Sequence, residues 1–179
     1  MLSMDNTALV IIDVQGKLAY QVERSKQVLD NIRLLLQGFQ LFELPIVVTE
    51  QYPKGLGPTV TEVGELIPDI NPLEKTTFNA CLKEEFLKEI DRWGKKQLLV
   101  AGVETHVCVF QTVAGLLENS YQVHVVSDAV SSRSSLNREK ALERMKDLGA
   151  VITTTEMALF ELVKRGEGEV FKGFIRLVK

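Results

Sequence analysis

At 179 residues the chain has the size of one domain, and a composition of 45% hydrophobic and 25% charged residues excludes a disordered or fibrous polymer. A net charge of −3, with no run of Lys and Arg long enough to track phosphates or anionic lipid, points away from nucleic acid and membrane surfaces and toward a small-molecule partner. The opening MLSMDNTALV lacks a basic then apolar signal, and no apolar stretch approaches the ~18 residues of a spanning helix, so the expectation is a cytoplasmic protein with a single domain over 1–179.

The first element is the apolar run 8–12, a strand that ends at Asp13. Val28, Ile32, Leu35, Phe39 and Phe42 then recur at steps of three and four, which predicts a helix over 25–42, stopped before Pro45. A second strand over 46–49 runs into the polar Glu50 and Gln51, and a short, poorly signalled strand over 73–75 ends at Lys75. A helix over 82–93 leads to a strand over 97–101, and the stretch 102–108 joins it to a helix over 107–118. A strand over 122–126, a helix over 138–148, a weaker strand over 151–154 and a helix over 155–164 follow. Asn119, Gly149 and Gly166 stand just past three helix ends, where a left-handed residue closes a helix at little cost. The apolar tail 170–178 is long enough to join a sheet edge or a neighbouring subunit, or to pack on its own domain.

Strands that are apolar throughout, rather than alternating, are covered on both faces, as in parallel sheets. Alternation of strand and helix along the chain gives an α/β protein, a three-layer α/β/α sandwich of Rossmann-like, doubly wound type. In such sheets ligands lie beyond the carboxyl ends of the strands. That directs attention to Asp13, Glu50 and the stretch 104–108.

Several chemistries have no motif. No G-x-G-x-x-G follows the first strand and no Walker loop occurs, so no nucleotide cofactor is expected. The second Asp of a haloacid-dehalogenase phosphatase would stand at Gln15. Two histidines, His106 and His124, are too few for a His-rich catalytic metal cluster, and two cysteines, Cys81 and Cys108, form neither a disulfide framework nor C-x-x-C.

Cys108 stands at the predicted start of a helix, where free N–H groups and the helix dipole favour a thiolate and predict a lowered thiol pKa. Alone, it also fits a small buried hydrophobe, Asp13 fits a turn cap, and Lys75 fits a solvated lysine paired with Glu74. Together the three supply an acid to take the thiol proton, a cation and a nucleophile. Gln15, Tyr20 and Gln51 follow strand ends and are candidate substrate-binding residues or surface hydrogen-bonders; Phe78 is a candidate pocket wall or core residue. His106, two residues before Cys108, would face away from it on a helix, and Cys81 reads as packing.

The run of apolar residues ending in Ile12-Asp13-Val14-Gln15, the Lys75 before Phe78, and Gly102-Val103-Glu104-Thr105-His106-Val107-Cys108-Val109 resemble the isochorismatase-like cysteine hydrolases over nearly the full chain. The resemblance implies a six-stranded parallel sheet and a catalytic Asp13, Lys75 and Cys108 that cleave an amide or related carbonyl through a thioester. It also implies an oxyanion hole from the N–H groups of Glu104 and Cys108, with a cis peptide between Val103 and Glu104. Nicotinamidases of the family bind a metal through Asp-x-His and a further His, whereas Glu50-Gln51-Tyr52-Pro53-Lys54-Gly55-Leu56-Gly57 holds no histidine. That run resembles instead the isochorismatase domain-containing branch. Isochorismatases that cleave a vinyl ether lack the cysteine. The function implied is a metal-independent cysteine hydrolase without cofactor, forming a homo-oligomer; the alternatives are a non-catalytic scaffold of the same fold and a vinyl-ether hydrolase.

Overall fold

A computed structural model describes residues 1–178. The apolar runs form six parallel strands, β1 (Thr7–Ile12), β2 (Ile46–Gln51), β3 (Leu73–Lys75), β4 (Gln97–Val103), β5 (Gln122–Ser131) and β6 (Val151–Thr153), in the order β3-β2-β1-β4-β5-β6. Alternate residues of one strand feed two different cores, which is why these strands are apolar throughout. On β1, Leu9 and Ile11 join one cluster, while Ala8, Val10 and Ile12 join the other.

The helices divide accordingly. α2 (Ser25–Leu41), α8 (Thr155–Val163) and α9 (Gly168–Leu177) cover the first face through Ile32, Phe39, Leu159 and Phe174. α5 (Glu84–Arg92), α6 (Phe110–Glu118) and α7 (Ser135–Asp147) cover the second through Phe86, Ile90, Val113, Leu116 and Met145. Three one-turn helices, α1 (Leu18–Gln21), α3 (Pro53–Leu56) and α4 (Thr61–Gly64), lie in the connections at the carboxyl edge. None of them has enough length to show a period in sequence.

The chain runs outward from β1 to β2 and β3, then returns to lay β4 on the other side of β1. The reversal makes the β1/β4 boundary the switch point of the sheet, where the carboxyl ends open a crevice. Gly102 permits the close approach there: it takes φ +125°, and a Cβ would stand 2.1 Å from the Ile12 carbonyl oxygen.

Some sequence expectations are corrected. The tail 170–178 does not join a sheet edge and takes the alternative of packing on its own domain; as α9 it buries Phe174 edge-on to Phe160 at 4.9 Å and beside Phe42 at 6.1 Å. The left-handed residue after α6 is Ser120 rather than Asn119, and after α8 it is Lys164 rather than Gly166, whereas Gly149 does take positive φ. No helix among the described residues is long and apolar enough to cross a membrane.

Candidate active site

β1 delivers Asp13, β3 delivers Lys75, and β2 lies between them. Asp13 takes φ +50°, a left-handed conformation that Asp tolerates better than most residues, which ends the strand. Lys75 Nζ donates to Asp13 Oδ2 at 2.6 Å, in an ion pair whose side chains are only 1% and 2% exposed. Burying two charges is costly unless each is well partnered. Here both are: Lys75 Nζ also donates to Gln51 Oε1 at 2.8 Å and the Thr77 carbonyl at 3.3 Å, and Asp13 Oδ1 accepts from Thr49 Oγ1 at 2.7 Å.

Cys108 enters from the β4 side, in a π-helical turn, Thr105–Val109, that precedes α6. Its placement inside this buried turn, rather than at an open helix end, corrects the expected lowering of its pKa. Burial pushes the thiol up to about 12; the Asp13 carboxylate adds to the rise and the Lys75 ammonium opposes it. Both charged groups therefore act directly on the sulfur, which rests as a thiol. Cys81 is also pushed up to about 12, by burial and then by Glu118, and its Sγ faces the Thr112 carbonyl.

The peptide bond between Val103 and Glu104 is cis. Glu104 Oε1 accepts from both the backbone N–H and Nε of Arg133 at 3.0 Å, tying the end of β4 to the turn after β5. Burial alone would raise the Glu104 carboxyl; the Arg133 hydrogen bonds and charge outweigh it and hold the carboxyl below its ordinary value. The buried Thr105 hydroxyl has no hydrogen-bond partner. His106 pairs through Nδ1 with Ser132 Oγ at 2.9 Å.

The four candidate substrate residues separate. Gln15 is fully buried: its amide donates to the Gln51 and Gly57 carbonyls and accepts from the Gln51 N–H, so it clamps β2 to the following loop and presents nothing to a ligand. Gln51 grips Lys75 rather than standing free. Tyr20 is half exposed and bound through its hydroxyl to Glu62 at 2.8 Å, and Phe78 is half exposed on the loop after Lys75. Glu50 accepts from the N–H and hydroxyl of Thr59, which makes it a brace for the loop after α3. The sequence reading overlooked Thr49, the Thr77 carbonyl and Arg133. The polar Thr49 closing an apolar strand was a usable signal; the other two depend on loops folding back.

A cavity of about 480 Å³ opens beside β3, lined by Tyr52, Lys54, Glu74, Lys75, Thr77 and Lys83 among others. Of the three central residues only Lys75 reaches it. Among the described residues, no three His, Cys, Asp or Glu side chains converge to hold a metal ion.

A doubly wound parallel sheet with an acid after its first strand, a lysine on its third and a thiol after its fourth defines the class of isochorismatase-like hydrolases. The isochorismatase domain model matches residues 7–157, and the chain belongs to the isochorismatase family. Isochorismatase domain-containing protein 2A of Mus musculus is 37% identical over 98% of this chain and 84% of its own length. Among solved structures, one described as the MAR1 ribonuclease of Caenorhabditis elegans is 36% identical with a TM-score of 0.90, over 99% of this chain and 91% of that one. The Escherichia coli YcaC product, described as an octameric hydrolase of unknown specificity, is 29% identical with a TM-score of 0.93, over 98% of this chain and 88% of that one.

Proposed function

We propose that the protein is a metal-independent cysteine hydrolase that cleaves a small amide or carbamoyl compound through a Cys108 thioester. The observation that carries this reading is the buried Asp13–Lys75 pair acting on the Cys108 thiol. Transfer of the thiol proton to Asp13 leaves the three groups with the same total charge: carboxylate, ammonium and thiol become carboxylic acid, ammonium and thiolate. Burial therefore does not oppose the transfer as it opposes simple ionisation of the thiol. It also removes the negative charge that held the thiol neutral and leaves Lys75 facing the new thiolate.

As Sγ bonds to the substrate carbonyl carbon, the N–H groups of Glu104 and Cys108 receive the developing oxyanion. Collapse of this intermediate breaks the C–N bond, and the leaving amine takes the proton back from Asp13. Water, deprotonated in turn by Asp13, attacks the thioester carbonyl and releases Cys108 with its proton restored. Lys75 stays an ammonium throughout.

An RNA substrate is the reading suggested by the description of the Caenorhabditis elegans relative. A net charge of −3 with no basic run offers little to a phosphate backbone, which favours the small neutral substrate. Self-association is part of the proposal, because the similar YcaC product is octameric; sedimentation of a monomer only would remove it. Two free thiols suit a reducing compartment such as the cytoplasm.

The test is ammonia release from a panel of small amides and carbamoyl compounds, with chelator present throughout. Turnover that disappears in Cys108→Ala while the protein stays folded is the expected result. A Cys108→Ala protein that hydrolyses the same compound at the wild-type rate overturns the mechanism. Release of pyruvate from a vinyl ether without ammonia from any amide gives the site to ether hydrolysis, and inertness toward both leaves a non-catalytic scaffold.

A further inference from the structure

We propose that Thr49 and Gln51 are positioning residues of this site, two same-face rungs of β2 that set the carboxylate and the ammonium against the thiol; the inference rests on the cysteine-hydrolase reading. β2 lies between the strands that deliver Asp13 and Lys75, so its side chains are the ones able to reach both. Alternation decides which do. Val47 belongs to the cluster that contains Cys108 and Val48 to the opposite one, so Thr49 and Gln51 continue the Cys108 face.

The geometry matches that placement. Thr49 Oγ1 donates to Asp13 Oδ1 at 2.7 Å and Gln51 Oε1 accepts from Lys75 Nζ at 2.8 Å. An ammonium has three protons, and those of Lys75 are taken by Asp13, Gln51 and the Thr77 carbonyl. Lys75 therefore acts through where its charge sits, and the uncharged Gln51 side chain is one of the groups that fix it. The Gln51 amide is itself locked: its Nε2 donates to the Thr76 carbonyl at 3.0 Å, and a flip would turn an NH₂ toward the ammonium. Thr49 occupies one oxygen of the carboxylate while Lys75 occupies the other, which fixes the plane of the group that receives the thiol proton.

The probe is p-nitrophenyl acetate, whose ester acylates a thiol with loss of nitrophenolate, followed by deacylation with water. In the wild type, a nitrophenolate burst and turnover absent from Cys108→Ala report the site. Thr49→Val and Gln51→Leu are expected to lower kcat roughly tenfold or more with KM nearly unchanged. Thr49→Ser keeps the hydroxyl and is expected to restore most of the rate.

Wild-type kcat in both folded variants overturns the inference alone. Equal loss in Thr49→Val and Thr49→Ser overturns the Thr49 half, because it makes the methyl rather than the hydroxyl the active part. If Thr49→Val does not fold, the half-buried Gln51 decides the matter through Gln51→Leu. No Cys108-dependent burst in the wild type overturns the cysteine-hydrolase reading itself, and this inference with it.

Discussion

Asp13 has two opposed influences on Cys108. After burial, its charge is the largest influence holding the thiol up at about 12, yet in the proposed reaction it is the group that accepts the thiol proton. Asp13→Asn separates these roles: the thiol should ionise more readily, with Lys75 now unopposed, while hydrolysis is lost with the base. Iodoacetamide labelling at pH 7 should be slow at both cysteines of the wild type and faster at Cys108, not Cys81, in Asp13→Asn, as read by peptide mass spectrometry. A Cys108 labelling rate unchanged by the substitution means that the carboxylate does not govern the thiol. This residue-scale behaviour was not legible in the sequence. A cysteine placed at a helix start invites the expectation of a lowered pKa, and only the folded environment reveals that burial and a neighbouring carboxylate dominate.

At the scale of elements, α9 illustrates how a strongly apolar tail finds its place. Phe174 is fully buried between Phe42 of the segment ending α2 and Phe160 of α8, so Phe174→Ala should cost about 3–5 kcal/mol in urea unfolding. Cys108 belongs to the cluster on the other face, so under the proposed mechanism kcat of the remaining folded protein should stay at the wild-type value; a small stability loss would mean that α9 is loosely docked. The long strands and helices were readable because each displays its period over several residues, and β1, β2 and β4 were placed by apolar runs that end in polar groups. The one-turn helices α1, α3 and α4 were not, since four residues carry no period. Asp13, Lys75 and Cys108 could be singled out by position and by family resemblance. Their pairing with Thr49 and Gln51 could not be read, because Thr49 meets Asp13 and Gln51 meets Lys75 only through the order β3-β2-β1.

Across the whole molecule, the carboxyl end of the sheet holds the candidate site and the opposite end is structural. At the latter, Gln97 Oε1 accepts from the Ser3 N–H at 3.0 Å and Thr7 Oγ1 at 3.1 Å, and Glu161 accepts from the Leu2 N–H at 2.9 Å, which ties the amino terminus down. His124 is buried on β5, and burial holds its imidazole below the ordinary value of 6.5, against the pull of Glu161. The unfolded chain therefore binds a proton at a pH where the folded chain does not, so the stability present above pH 6.5 declines as pH falls toward the folded value. Glu104, whose carboxyl is held below its ordinary value of 4.5, adds a further decline at lower pH with the same sign. Thermal midpoints measured between pH 7.5 and 5.5 should fall, and His124→Gln should flatten the slope; an equal slope in the variant would assign it to other groups.

The reversal of strand order has a consequence for how activity is acquired. The proposed base and nucleophile, Asp13 and Cys108, follow adjacent strands, β1 and β4, yet the chain completes β2 and β3 between them. The crevice exists only after an early strand has accepted neighbours on both flanks, so a nascent or partly unravelled molecule carries the same residues and no working centre. Chemical competence thereby becomes a late reporter of correct assembly.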